Sequence, residues 1–152
     1  MNVYRIAKEK YINDLSGSGA RIYGGRWNYK GSSVIYASET RALASIEYLV
    51  HLPISIIPDD LCIASIEIND KISHQIMDTG TLPRNWREFP SPSQLGAIGS
   101  DWILHNQSLL LRVPSVLVEN EYNILINPAH PDIRYVKIHD IKKYSFDKRL
   151  LN

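Results

Sequence analysis

Apolar residues recur along this chain mostly in short runs bounded by turn-forming residues. Val3 to Ile6, Val34-Ile35-Tyr36-Ala37 and Leu61–Ile68 are rich in β-branched and aromatic side chains, so each reads as a strand. Within Leu61–Ile68, Cys62, Ala64, Ile66 and Ile68 alternate with Ile63, Ser65 and Glu67, which predicts a half-buried strand with one apolar and one mixed face. Leu109–Val113 and Ser115–Val118 read as two further strand pieces, with Pro114 marking a bend or sheet edge between them. Asn123–Asn127 and Tyr135–Asp140 complete the strand series.

Two stretches change to the helical period. Ser38-Glu39-Thr40 offers N-cap side chains for a helix to about His51, which Pro53 closes. On that helix Ala42, Leu43, Ile46, Leu49 and Val50 form one apolar arc, and Glu47 falls at its edge. Ser93 opens a second helix to about Asn106, with Leu95, Ile98, Trp102 and His105 on one core-facing stripe. Ala7–Leu15 is a polar segment, Ser16–Gly19 a flexible loop expected to order around a ligand, and Ile54–Asp60 a proline-bounded connection. Residues 79–93 hold Gly80, Pro83, Pro90 and Pro92 with Trp86 and Phe89. A segment this long and irregular reads either as a wall or lid of a site or as a surface crossover pinned by two aromatics. Many short strands with two helices place the chain in the α+β class.

Composition narrows the class. A chain of 152 residues suits one domain, here 1–152, and buries about 68–70% of its unfolded surface. Hydrophobic content of 44% with 22% charged residues excludes a disordered chain, and a net charge of +1 gives no electrostatic pull toward nucleic acid or anionic membrane. The single Cys62, in a strand, reads as a buried thiol and fits a reducing, cytoplasmic setting. Five histidines, at 51, 74, 105, 130 and 139, lack paired ligand spacing, so no metal site is expected. No run is long enough to cross a bilayer, and the start of the chain has no apolar signal core. Lys142, Lys143, Lys148 and Arg149 read as a solvated basic tail.

The densest chemistry lies in Gly24–Glu47. Gly24 and Gly25 allow a turn that presents Arg26, Trp27 and Asn28; a strand then carries Tyr36 and a helix carries Glu47. Each residue also has an ordinary reading: Glu47 as a flank carboxylate reaching water, Tyr36 as a strand aromatic, Arg26 as a surface ion-pair partner.

The spacing Gly-Arg-Trp-Asn, then Tyr36, then Glu47 resembles the RES domain, the toxin half of bacterial RES–Xre toxin–antitoxin pairs. The resemblance continues through Gly99-Ser100-Asp101-Trp102, Leu109–Ser115 and Asn123–Asp132, spanning about residues 3 to 135. It implies an ADP-ribosyltransferase-like fold, a split antiparallel β-core with a nicotinamide cleft. It also implies breakdown of NAD+ by hydrolysis or phosphorolysis, depleting NAD+ and arresting growth, or ADP-ribosylation of a target protein. A non-catalytic binding module or a small ribonuclease is the outside alternative, weakened by the near-neutral charge.

NAD+ enters as substrate, with no cofactor and no metal. Because nicotinamide is already cationic in NAD+, it departs as a neutral ring and leaves oxocarbenium character on the ribose. On the resemblance, Glu47 is suited to stabilise that charge and accept from ribose hydroxyls, Tyr36 to stack on the nicotinamide or hold the ribose, and Arg26 to make forked contacts with phosphate or ribose oxygens. The resemblance implies that the Ser115 hydroxyl lines the site, although serine after proline is also a common turn residue. Asn127 is expected to cap or brace the cleft, Arg5 to bind phosphate or fix the first strand, and Trp27 and Asn28 to shape the arginine turn. His130, between two prolines, reads as structural. The implied partners are a helical Xre-type antitoxin and a second copy of the chain in a homodimer.

Overall fold

Strand order explains where a site can form. The computed structural model describes residues 1–53 and 55–151. Seven strands form one sheet among the described residues: β1 (Asn2–Lys8), β2 (Ile35–Ser38), β3 (Leu61–Ile68), β4 (His74–Ile76), β5 (Leu110–Pro114), β6 (Tyr122–Ile126) and β7 (Val136–Lys143), in the order β4-β5-β6-β2-β1-β3-β7. Pairing is antiparallel except for β4 on β5, which is parallel. At the centre β1 and β2 share a single register pair, Tyr4 with Ser38, whereas β1 and β3 run in register from Asn2–Glu67 to Lys8–Leu61. The sheet is thus two blocks joined at a narrow seam.

Alternation along the strands sorts side chains onto two faces. Val3, Ile35, Ala37, Cys62, Ala64, Ile66, Leu110, Ile124 and Ile126 share one core, closed over by Ile12, Leu15 and Ile72. The opposite face carries two separate clusters. One gathers Trp27, Val34, Trp86, Leu95, Trp102, Leu111, Val113 and Leu125; the other gathers Ile6, Ala44, Leu61, Ile63 and Phe146. Helix α3 (Ser93–Leu104) supplies the first cluster and α2 (Arg41–Val50) the second. The gap between them lies over the seam.

Several expectations change. Ser16 and Gly17 lead into a six-residue helix, α1 (Ser18–Tyr23), which takes up Ser18 and Gly19; Gly17 takes φ +72° as its N-cap, and Asp14 holds both the Ser16 amide and the Ser18 hydroxyl. β3 is buried on both faces, Glu67 excepted, since the second cluster covers its mixed side. Ser115–Val118 is a turn and not a strand; the Ser115 hydroxyl accepts from the amides of Leu117 and Val118, and Asn120 takes φ +61°. β5 is an interior strand with Pro114 as its last residue, so the proline ends pairing instead of marking an edge. The connection 54–60 begins at Ile54, which lies outside the described residues. Cys62 is a buried free thiol, and no described helix is long and apolar enough to cross a membrane.

Candidate active site

Glu47 points at the sheet. Leu43 and Ala44 are the buried residues of α2, and Glu47 follows them at helical spacing, so its carboxylate faces the gap between the two clusters. Ile46 and Val50, expected in the apolar arc, are instead 44% and 53% exposed. The helix is rotated because polar donors on the sheet await a carboxylate there. Glu47 Oε1 accepts from Ser115 Oγ at 2.9 Å and from Asn123 Nδ2 at 2.6 Å. Behind them, Ser38 Oγ donates to Asn123 Oδ1 at 2.6 Å. Thr40 caps α2 by accepting from the Leu43 amide, which sets where the helix starts and hence where Glu47 lands.

The arginine turn is built with equal care for polar satisfaction. Tyr36 Oη donates to Asn28 Oδ1 at 2.7 Å and accepts from the Trp27 amide at 3.1 Å. Asn28, 2% exposed, donates to the carbonyls of Ala20, Tyr29 and Ser32, tying the turn to α1. At Gly25 any Cβ would sit 2.8 Å from the Tyr36 hydroxyl, so this position needs glycine. α3 presses on the turn from outside: a Cβ on Gly99 would lie 1.7 Å from the Trp27 carbonyl oxygen, and one on Gly96 2.7 Å from the Tyr29 ring. Ser100 Oγ accepts from the Tyr29 amide, and Tyr29 Oη donates to the Ser93 carbonyl.

Arg26 leaves this turn toward the irregular segment. Its Nη1 donates to the carbonyls of Trp86 at 2.8 Å and Glu88 at 3.2 Å. Partial burial lowers its pKa, while Glu47 and Tyr36 pull it back up, so all three groups act within one electrostatic neighbourhood. Burial raises the Tyr36 phenol well above its usual 10, against the opposing pull of the Trp27 amide and Arg26; it is a neutral donor at any physiological pH. A cleft of about 310 Å³ opens alongside, between Thr79, Gly80, Trp86 and Arg87 on one wall and Ser115 and Tyr122 on the other. Its lining touches Glu47 through Ser115 and Arg26 through Trp86, while Tyr36 lies behind the arginine turn, bonded to Trp27 and Asn28. Residues 79–93 are therefore a wall of the cleft as well as a crossover.

The other candidates lie elsewhere or serve the frame. Trp27 is 3% exposed within the α3 cluster. Arg5 shares the Val3 face of β1, opposite the seam, where it donates to the carbonyls of Asp14 and Tyr11. Asn127 lies just past the end of β6, four residues from Asn123 and about 13 Å away at strand rise, and its amide braces Ile103 and Asn106 at the end of α3. His130 accepts from the Asp132 amide at the start of a short 3-10 turn. Asn123 and Ser38 were absent from the sequence-derived candidates. Only the pairing of β2 with β6, which sets Ser38 opposite Asn123, reveals them. Among the described residues no three His, Cys, Asp or Glu side chains gather as a metal would require.

Fold and site together define an α+β protein whose sheet face sets a carboxylate and a guanidinium against the walls of one cleft, with a buried phenol in the same electrostatic neighbourhood. The chain belongs to the RES domain family, whose profile matches residues 2–148. It is 40% identical over 147 residues to a protein of Sphingobium sp. (strain YBL2) named Prs ADP-ribosylating toxin, covering 95% of this chain and 91% of that one. It is also 40% identical over 131 residues to Toxin Res of Yersinia enterocolitica serotype O:8, covering 86% of each. The crystal structure of the M. tuberculosis MbcT–MbcA toxin–antitoxin complex contains a chain with a TM-score of 0.73 at 18% identity, covering 99% of this chain and 86% of that one. That likeness establishes the shared fold.

Proposed function

We propose that this protein is the toxin of a RES–Xre toxin–antitoxin pair and cleaves the nicotinamide–ribose bond of NAD+ at the Glu47 seam. The observation that carries the reading is the tethering of Glu47: one carboxylate oxygen is fixed by Ser115 and Asn123, and no bond from a described residue reaches the other. The C–N bond between ribose and the pyridinium breaks with its electron pair passing to the ring nitrogen, so neutral nicotinamide leaves and no acid is needed. Glu47 Oε2 then faces the positive charge developing on the ribose carbon. Water or inorganic phosphate forms the new bond to that carbon; water gives up one proton to solvent, so that ADP-ribose results. Arg26 Nη2 and Nε, beyond the atom engaged with Trp86 and Glu88, are suited to pyrophosphate or ribose oxygens. Tyr36, neutral and held in place, offers a ring face to nicotinamide.

Transfer to a protein is the second reading, favoured by the name of the Sphingobium relative. There a side chain of the target captures the same ribose carbon. In either case the expected setting is the cytoplasm, with an Xre-type antitoxin covering the cleft and the toxin as a homodimer; the toxin names of the relatives support the pairing.

Incubating the purified protein with NAD+, with and without phosphate, and identifying products by mass spectrometry separates these outcomes. Nicotinamide with ADP-ribose means hydrolysis, nicotinamide with a phosphorylated ADP-ribose means phosphorolysis, and a mass increment on added cell protein means transfer. Glu47→Gln keeps an oxygen for Ser115 and Asn123 but removes the charge, and it should slow release by about 10²–10³-fold. Release by Glu47→Gln within threefold of wild type rules out Glu47 as the stabilising carboxylate.

A further inference from the structure

We infer that Asn123, held by Ser38, is a positioning residue that fixes the plane of the Glu47 carboxylate so that Oε2 meets the reacting ribose carbon. This rests on the NAD+-cleaving reading above. An ionised carboxylate only accepts, so the face of the Asn123 amide toward Glu47 must be its NH2 and the opposite face its carbonyl oxygen. Ser38 supplies the hydroxyl that this carbonyl oxygen needs, at 2.6 Å, and Ser38 is itself 4% exposed. The amide orientation is thus locked from behind. Ser115 alone would leave the carboxylate free to swing about one hydrogen bond; a second donor at 2.6 Å on the same oxygen removes that freedom.

The chain of contacts crosses four elements: Ser38 at the end of β2, Asn123 in β6, Glu47 in α2 and Ser115 after β5. It lies on the seam where β1 and β2 barely pair, so this polar relay stitches the broken sheet face at the reacting carboxylate. Ser115 also holds two amides of its own turn, so its removal disturbs backbone as well as carboxylate. Asn123 has no such second duty toward the backbone. Its effect on Glu47 is therefore separable.

The test measures nicotinamide release from NAD+ by wild type, Asn123→Ala, Ser38→Ala and Asn123→Asp, each with its melting temperature. Asn123→Ala should lower kcat about 10–100-fold with KM changed less than about threefold, and Ser38→Ala should show a weaker loss of the same kind. Asn123→Asp supplies the readout that a purely structural role would not move. Two carboxyls at that distance share one proton, and only with the proton present does the introduced group donate to Glu47. Its activity should rise at least about fivefold from pH 8 to pH 6 relative to Asn123→Ala. Asn123→Ala at wild-type kcat, or Asn123→Asp following the pH course of Asn123→Ala, overturns the positioning role while leaving NAD+ cleavage standing. A wild type that releases no nicotinamide overturns both readings.

Discussion

Gly99→Ala tests whether the close approach of α3 holds the arginine turn in place. The added Cβ would sit 1.7 Å from the Trp27 carbonyl oxygen, 2.8 Å from its carbon and 3.2 Å from the Trp27 Cβ. Ordinary contact needs about 3.5 Å, so helix and turn must part by roughly 1.5–2 Å. Neither side yields easily: Tyr29 is bonded to Ser100 and Ser93 on α3, and Asn28 anchors the turn to three carbonyls. Overpacking of this kind costs about 1–3 kcal/mol, which for a chain of this length lowers Tm by roughly 3–10 °C. Arg26 precedes Trp27 directly, and a displacement of about 1 Å at a positioned group costs about 10²-fold in rate. Differential scanning fluorimetry and nicotinamide release measure the two effects. Gly19→Ala is the control, since its Cβ would meet nothing within 4 Å in α1, and it should be neutral or stabilise by about 0.5–1 kcal/mol. A Gly99→Ala protein with Tm within about 2 °C of wild type and full activity refutes the reasoning.

Three further outcomes follow from the geometry. Tyr36→Phe leaves Asn28 Oδ1 and the Trp27 amide without a partner, so it should destabilise by about 1–3 kcal/mol. Because the folded pKa of Tyr36 is raised above 10, its contribution is present in full below pH 10 and is lost as pH rises further; urea midpoints from pH 8 to 11 should fall for wild type relative to the variant only above about pH 10. Arg26→Lys replaces the fork by a point charge and should raise KM for NAD+ more than it alters Tm, which steady-state kinetics with a melting curve will check. Arg5→Leu removes donors to Asp14 and Tyr11 on the opposite sheet face; it should cost about 1–3 kcal/mol in urea unfolding yet keep kcat per folded molecule.

Sequence patterning carried the strands well where alternation was strong. Leu61–Ile68 has the bounds read from its residues, the α+β class followed from the series of elements, and the RES family from the resemblance carried by Arg26, Tyr36, Glu47 and the blocks after them. β4 was missed, being three exposed residues with no alternation to see. α1 was hidden because Ser-Gly-Ser-Gly has loop composition, and only Gly17 in the left-handed region lets the helix begin. Val116 and Val118 imitate a strand, but the Ser115 hydroxyl captures two amides and bends the chain. The rotation of α2 was illegible for a deeper reason. Ile46 and Val50 look like core residues, and what turns Glu47 inward is a pair of donors 68 and 76 residues away. Local periodicity carries no information about those partners. The same holds for Asn123 and Ser38, which meet only through strand register.

A crystal structure of Glu47→Gln with NAD+ bound tests the central claim most directly. The account predicts the nicotinamide beside Tyr36, the ribose carbon within about 4 Å of the side chain at position 47, and the pyrophosphate near Arg26. NAD+ bound to any other surface, with the seam between the two clusters empty, would contradict it.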